Sequence, residues 1–431
     1  MCRRWRQIVF ASPRRLNLRI PCTHKTPVRK YLGIWPPFPI DVDNDLQSGY
    51  ENNILVALKH PDRVYQVKLT VSPQELGNFT TAMQEPFPML TQLYISSYWW
   101  CVGKPILPAG FLGGTAPCLQ AISLSGISYS ALPTILLSTS NLVKLDLSEI
   151  PPDGYISPEA MVASLATLPR LEIFIITFQL VTSRPDRISS PPETRTILPA
   201  LTFFEFKGAS EYLEDLVGRI DGPHLKCITI VYFYHYLDRS DHIHVAQLSR
   251  FIDRSVDPTF AGWRHAEVSF SGYSVTFSHL AEDPDLDRPT IISYGVEGTD
   301  AWGVAPISRV LSQFPSSLSN LVHLQINCRE AHHFVGPGIE WLHFLRQFST
   351  VQTLLVYSEL GEYIFSALDN LTEVMVTEVL PSLELLCLEE NDTWSLRDFK
   401  FVTVRQQFSC PVTVVKTEKE FRERLESYIS K

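Results

Sequence analysis

The sequence predicts an α/β solenoid, in which a curved parallel sheet is backed by helices. Three observations lead to this prediction. A signature of three apolar residues, Leu-x-x-Leu-x-Leu or an equivalent, returns at intervals of 23 to 40 residues, and a repeat of this length is typical of stacked architectures. Ten of its twelve copies follow Pro-x or Ser-x, and proline marks the end of a preceding helix. Apolar residues at helical spacing fill the segments between the copies. The sequence therefore predicts a leucine-rich-repeat-like body.

Each copy of the signature predicts one short strand. A single strand–helix unit cannot bury its own apolar face, so the units must stack on one another. The twelve copies begin at Val64, Leu90, Leu119, Leu142, Leu171, Leu201, Leu225, His265, Ile291, Leu321, Val351 and Leu383.

The intervening segments predict helices. In one of them Pro158 takes a first helical position, and Met161 and Leu165 follow at helical spacing. A doubly wound α/β domain would also alternate strands and helices, but recurrence of the strand signature favours the solenoid. Regular leucine-rich repeats carry Asn or Cys just after the third apolar position, and here only Asn391 lies close to that pattern. We therefore expect irregular repeats.

Charge is distributed unevenly along the 431 residues, whose net charge is −9. Residues 1–30 contain nine Arg or Lys and no Asp or Glu, which leaves 28 basic and 46 acidic residues in the remainder. A phosphate-binding surface needs a basic stripe. The composition of the body therefore indicates no nucleic-acid partner. The Arg-rich start also resembles a mitochondrial presequence, which is the alternative interpretation of that segment.

The eight cysteines are scattered singly, without a Cys-x-x-Cys pair. This usage is typical of a reducing compartment, and we expect a cytoplasmic or nuclear location. The sequence contains no run of about 18 apolar residues, which is the length that predicts a membrane span. We therefore expect no membrane partner.

The first thirteen residues predict a short amphipathic helix that ends near Pro13. Cys2, Trp5, Ile8 and Val9 lie together on one side of it. No N-cap precedes this helix, and we expect that it continues upstream of Met1.

The segment Cys-Arg-Arg-Trp-Arg-x-Ile-Val-x-x-Ser-Pro resembles the last helix of an F-box, the motif that docks on the Skp-type adaptor of SCF ubiquitin ligases. Further stretches are similar to basidiomycete F-box proteins with leucine-rich-repeat-like bodies; they lie at 34–40, 107–114, 154–160 and 210–216. The resemblance implies adaptor binding through Cys2, Trp5, Ile8 and Val9, and a non-catalytic body that holds a protein substrate. Only the closing helix of the F-box is present, so either the start codon is misassigned or the chain is a truncated paralogue.

The predicted organisation has four parts. Residues 1–20 form the F-box remnant, and 21–60 form a linker or N-terminal cap. About twelve repeats occupy 61–410, and a strand with a capping helix occupies 411–431. In that last helix Phe421, Leu425, Tyr428 and Ile429 fall at helical spacing, and a solenoid needs such a cover at its end.

In leucine-rich-repeat geometry, the residues beside the central apolar position of each strand face the concave surface. They mix polar, charged and apolar types, which favours a protein partner. The predicted partner-binding residues are Gln92, Tyr94, Lys144, Asp146, Glu205, Glu267, His323 and Gln325. Their predicted apolar and small neighbours are Ala121, Ser123, Ile173, Ile175, Phe203 and Ser269.

No catalytic motif stands out: the chain has no Gly-x-Ser-x-Gly elbow, phosphate loop or Gly-x-Gly-x-x-Gly. We therefore expect no enzyme activity and no cofactor. His235, His242 and His244 gather near Asp238 and Asp241, but spacing fixes no third ligand, and we predict no metal site. A dense aromatic patch at Trp99-Trp100 is interpreted as packing rather than as an interface. The alternatives to a ligase subunit are a repeat scaffold without a ligase link and, last, an enzyme.

Overall fold

A computed structural model of the chain contains two compact units, residues 1–225 and 226–431. The predicted repeat segment 61–410 extends through both. The structure describes residues 4, 7–8, 18–23, 28–33, 37–44, 51–97, 106–129, 132–179, 194–233, 245–255, 264–271, 274–280, 291–297, 304–328, 338–388, 399–417, 419–421 and 423–424.

Unit 1 is an α/β unit built on a parallel sheet. Its strands are β1 (Ile20–Cys22), β2 (Ile40–Asn44), β3 (Val64–Val71), β4 (Gln92–Ser97), β5 (Ile106–Leu107), β6 (Ala121–Ser125), β7 (Ser128–Tyr129), β8 (Lys144–Ile150), β9 (Ile173–Phe178), β10 (Thr196–Ile197), β11 (Phe203–Gly208) and β12 (Ile220–Asp221). Its helices are α1 (Val28–Leu32), α2 (Glu51–Leu58), α3 (Pro73–Ala82), α4 (Leu132–Leu137), α5 (Pro158–Leu165) and α6 (Ser210–Val217), with 3₁₀ turns at Phe111–Gly114 and Pro152–Gly154. The main sheet has the order β1-β2-β3-β4-β6-β8-β9-β11, and β5–β7 and β10–β12 form two short parallel pairs.

The apolar signature sets the register of this sheet. Its central residues pair from strand to strand, in the row Val67, Leu93, Ile122, Leu145, Phe174 and Phe204. Each of these side chains is at most 1 % exposed. Because side chains alternate along a strand, the row and the third signature residues share one buried face, and the intervening residues point the other way. The predicted strands of this unit are confirmed.

Side-chain caps mark the first residues of two helices in unit 1. Ser72 caps α3 by accepting a hydrogen bond from the Glu75 amide, while the Glu75 carboxylate accepts one from the Ser72 amide at 2.7 Å. Ser157 caps α5 in the same way through the Ala160 amide, and Pro158 takes the first helical position, as predicted. Such caps satisfy amides that have no partner inside the helix.

Unit 2 is also α/β, with a mixed sheet. Its strands are β13 (Cys227–Phe233), β14 (His265–Ser271), β15 (Ser274–Leu280), β16 (Ile291–Glu297), β17 (His323–Cys328), β18 (Thr353–Val356), β19 (Leu385–Leu388) and β20 (Thr413–Val415). Its helices are α7 (Ala246–Ser255), α8 (Ala305–Leu311), α9 (Pro315–Leu318), α10 (Gly338–Leu345), α11 (Ser358–Asp369), α12 (Glu373–Val376) and α13 (Lys400–Gln407). The strand order is β13-β16-β15-β14-β17-β18-β19-β20.

The prediction of an entirely parallel sheet is wrong in unit 2. Strand β15 pairs antiparallel with both β14 and β16, and the apolar signature does not predict this strand. Val275, Phe277 and His279 alternate inward along β15 between Ser and Thr residues, so the strand carries no Leu-rich signature. The hairpin from β14 to β15 turns the chain back and places β16, rather than β14, beside β13.

The signature copy at His265 also differs from its predicted frame. Val268 pairs with Ile326, the third signature residue of β17, and Ala266 pairs with Leu324. The true frame of this copy is therefore two residues earlier. His265 and Glu267 still lie on the same face as His323 and Gln325.

Within the described residues, no helix is both long and apolar enough to cross a bilayer.

Candidate functional site

One face of each sheet packs on helices, and the other is only partly covered. We define the open face of unit 1 as the partly exposed residues that alternate with the buried signature positions. They are Gln66, Lys68, Gln92, Tyr94, Ser123, Lys144, Asp146, Ile173, Ile175, Phe203, Glu205 and Lys207. The five predicted partner-binding residues of unit 1 all lie on this face.

The register brings these residues into rows across the strands. Gln92, Lys144 and Phe203 belong to one row, and Tyr94, Asp146 and Glu205 belong to the next. Rows of this kind run perpendicular to the strands, with about 4.8 Å between neighbours. Five consecutive strands, β4 to β11 in the sheet order, therefore present one continuous surface with mixed chemistry.

Opposite charges pair along most of this surface. Lys144 Nζ lies 3.2 Å from Asp146 Oδ2, which also accepts a hydrogen bond of 3.1 Å from the Ser123 hydroxyl. Lys207 Nζ lies 3.5 Å from Glu149 Oε1. These groups are partly exposed, so each pair contributes little to stability, and its main effect is to hold the side chains in place.

Glu205 is different from its charged neighbours. Among the residues that the structure describes, its carboxylate has neither an ion pair nor a side-chain hydrogen bond. It stands opposite Ile175 on β9, and Phe203 stands opposite Ile173. Burial, with a further contribution from Asp146, raises the pKa of the Glu205 carboxyl, while Lys144 and Lys207 act in the opposite direction.

We define the open face of unit 2 as the side of its sheet that carries His265, Glu267, His323, Gln325 and Asn327. It holds a hydrogen-bonded polar group. The rings of His265 and His323 stack with centroids 4.3 Å apart, and His323 Nδ1 lies 2.7 Å from the Thr353 hydroxyl. The Asn327 amide donates to Glu267. Burial lowers the pKa of His323 to about 4, and His265 and Arg264 act in the same direction. The neutral imidazole is therefore the dominant form at neutral pH.

Gln325 completes the predicted set, and its amide donates to the Tyr357 hydroxyl at 3.4 Å. It pairs across β17 and β18 with Leu355. The surface changes character at this point, from polar to apolar.

The last strands of unit 2 carry apolar residues on this same face. We call them the apolar strip: Leu355, Leu385, Cys387 and Val415. Phe421, in the C-terminal segment, packs on them, and all five are at most 6 % exposed. Sequence spacing predicted that Phe421 faces inward from a terminal helix, but it could not show that Phe421 covers a sheet face.

We expect Phe421→Ala to destabilise unit 2 by about 2–3 kcal/mol, because removal of the ring exposes the apolar strip to water. The measurement is urea unfolding, together with binding of a hydrophobic dye to the newly exposed strip. Phe408→Ala is the matched control, since Phe408 is 46 % exposed and its loss should change stability by less than about 0.5 kcal/mol. Equal effects of the two substitutions would contradict the covering role of Phe421.

Several predicted residues lie outside the described part of the chain: Cys2, Trp5, Val9, Trp99, Trp100, His235, Asp238, Asp241, His242, His244, Asn391, Leu425, Tyr428 and Ile429. Ile8 is described and is 51 % exposed. Within the described residues, no group of three or more His, Cys, Asp or Glu side chains is arranged to hold a metal ion.

Comparison with known proteins does not assign the chain to a family: no protein-family model and no curated protein sequence matches it.

Proposed function

We propose that this chain is the substrate-recognition subunit of an SCF-type ubiquitin ligase. In this proposal it binds a protein partner on the open faces of its sheets and does no chemistry itself. The observation that carries the proposal is the strand register: it gathers Gln92, Tyr94, Lys144, Asp146 and Glu205, from three separate strands, onto one partly exposed face. A wide surface of mixed polar and apolar side chains suits a protein partner.

The proposal includes a leucine-rich-repeat-like solenoid, with the open faces on the concave side and the helices on the outside. The in-register signature row of unit 1 supports it, since each strand repeats the pairing of the one before. Repeat proteins of this kind use their concave surface for large partners. We place the protein in the cytoplasm or nucleus, and the six described cysteines, all reduced thiols, support a reducing compartment.

The ligase link rests on the resemblance of residues 1–13 to the closing helix of an F-box. The exposure of Ile8 supports this link, because an adaptor-docking helix presents apolar side chains to its partner. A repeat scaffold without a ligase link is the second candidate. It is favoured by the strand register alone, since a wide, partly exposed sheet face can bind a protein without any F-box.

Capture by a Skp-type adaptor tests the ligase role. We expect the chain to bind immobilised adaptor in a form that includes any coding sequence upstream of Met1, which we call the extended form. Replacing Trp5 and Ile8 by Ala in the extended form should lower the captured fraction at least about tenfold, because hot-spot apolar residues carry most of the binding energy.

The control for this assay is Ile197→Ala in the same extended form. Ile197 is 64 % exposed and lies outside the F-box segment, so capture should be unchanged. Absence of capture by the extended form would overturn the ligase role and leave the scaffold as the better proposal.

A further inference from the structure

The charges on the open face of unit 1 show which kind of partner it can accept. Each lysine of this face has a carboxylate within ion-pair distance, since Lys68 Nζ lies 3.9 Å from Asp43 and Lys144 and Lys207 are paired as described above. The lysines are therefore already engaged. Glu205 is the charged residue of this defined face that has no such partner among the described residues.

The surroundings of Glu205 favour contact with a cationic side chain that has a long aliphatic part, such as Arg or Lys. Ile173, Ile175 and Phe203 are all partly exposed on the face beside it. Arg and Lys side chains bury their methylene stems on apolar surface and keep the charged end at a polar group. An ion pair here would be partly shielded from water, and its electrostatic attraction would exceed that of a fully exposed pair.

Lys144 and Lys207 compensate the charge of the Glu205 carboxylate only in part, since each has its ion pair with another carboxylate. Asp146 lies in the same row, two strands away across β9, a separation of about 10 Å at ordinary strand spacing. Two acidic groups at this distance repel each other weakly, and both gain from a cation placed between them. The raised pKa of Glu205 agrees with this picture, since burial and Asp146 together outweigh the opposite effect of Lys144 and Lys207.

We propose that the open face of unit 1 binds a protein segment that presents an Arg or Lys side chain to Glu205, with the aliphatic stem of that side chain packed on Ile175 and Phe203. The inference rests on the proposed function, because it names the class of substrate that the repeats hold: a protein with an exposed basic residue in an accessible segment. The net charge of −9 favours such a partner over an acidic or phosphorylated one.

The test uses the full chain, immobilised and presented with a phage-displayed library of random 12-residue peptides. We expect the enriched peptides to share an Arg or Lys flanked by apolar residues. The most enriched peptide is then synthesised with that basic residue intact and with norleucine in its place, and both are titrated by calorimetry. Loss of the charge should weaken binding about tenfold, with a smaller effect at high salt.

Three variants locate the contact. Glu205→Gln keeps the size of the side chain and should weaken binding of the basic peptide about tenfold. Glu205→Lys should abolish it. Glu85→Lys makes the same charge change at an exposed position of unit 1 and should bind with wild-type affinity. The melting temperature of each variant is measured beside its affinity, so that a loss of binding caused by unfolding is separated from a loss of the contact.

The possible results separate this inference from the proposed function. Enriched peptides without a basic residue, or wild-type affinity in Glu205→Lys, would overturn the inference and leave a protein-binding role intact. A library that yields no enriched peptide also overturns it, and the adaptor capture then decides independently whether the ligase role stands. Basic peptides that bind while adaptor capture fails would support the inference within the scaffold alternative.

Discussion

Replacement of Arg405 by Met is expected to destabilise unit 2 by about 3–5 kcal/mol. Arg405 lies on α13 and is 1 % exposed. Its guanidinium donates to five carbonyl oxygens: Cys410 at 3.0 Å from Nε, Val376 at 3.5 Å and Leu380 at 3.0 Å from Nη1, and Pro381 at 3.0 Å and Leu383 at 3.1 Å from Nη2. The five N–H donors of an arginine are thereby all used.

The physical reason for the large effect is the number of backbone groups that depend on one side chain. Four of these carbonyls belong to the segment from Val376, the last residue of α12, to Leu383, two residues before β19, and the fifth belongs to Cys410, after α13. Without Arg405 they would be buried without their strongest donor, and each such loss costs about 1–3 kcal/mol before relaxation. Burial lowers the pKa of Arg405, but a guanidinium stays protonated under ordinary conditions.

Urea unfolding with hydrogen exchange measures this effect. Faster exchange of amides in 373–388 and 405–415 would place the damage at the carbonyl cluster. Arg405→Lys should also be clearly destabilised, because an ammonium has three donors and lacks the planar fork. The control is Arg250→Met, at an exposed position of α7, with an expected change below about 0.5 kcal/mol. A small loss in Arg405→Met, comparable to the control, would show that water replaces the guanidinium.

Arg405 also illustrates what the sequence could not predict. Its partners are carbonyl oxygens, which every residue possesses, so no residue pattern announces them. The strands were predictable for the opposite reason. Leu93 and Ile95 alternate with Gln92 and Tyr94, and such alternation indicates a strand with one buried face.

The sequence also failed to predict strand β15 of unit 2, because its pairing depends on contacts that no local residue pattern announces. Strand β15 (Ser274–Leu280) alternates Val, Phe and His with Ser and Thr, and its weak apolar content hid it within one 26-residue interval between signature copies. Strand pairing is decided by contacts with distant segments, which local pattern does not contain.

For the candidate site, the sequence predicted which residues share a face of the sheet but not which of their charges are paired. The period of two placed Lys144, Asp146 and Glu205 on a common face, and the structure confirms that placement. The sequence does not show which carboxylate forms an ion pair, because this depends on side-chain directions across three strands. Only the structure shows that Asp146 pairs with Lys144 and that Glu205 has no such pair among the described residues. The apolar strip under Phe421 likewise follows from the fold and not from the spacing of Phe421 itself.

Tyr212→Ala is expected to destabilise unit 1 by about 3–5 kcal/mol, the range for truncation of a large buried aromatic side chain. Tyr212 lies on α6 and is completely buried. Its ring centroid is 4.8 Å from that of Phe178 on β9, 5.9 Å from that of Tyr155 and 6.0 Å from that of Phe206 on β11. One ring thus connects a helix to two strands and to the segment before α5, and its removal opens a cavity that these fixed elements cannot fill.

The hydroxyl of Tyr212 allows the ring and the hydrogen bond to be separated. It donates to the Ile156 carbonyl at 3.0 Å, so Tyr212→Phe should cost only about 1 kcal/mol. Calorimetric melting of both variants measures the difference, and Leu137→Ala, at a side chain 62 % exposed, provides the baseline for a substitution that removes no packing. The close packing of the four rings requires that Tyr212→Ala lower the free energy of unfolding several times more than Tyr212→Phe does. Equal losses in the two variants would mean that the hydrogen bond to Ile156 holds α6 in place and that the aromatic contacts contribute little.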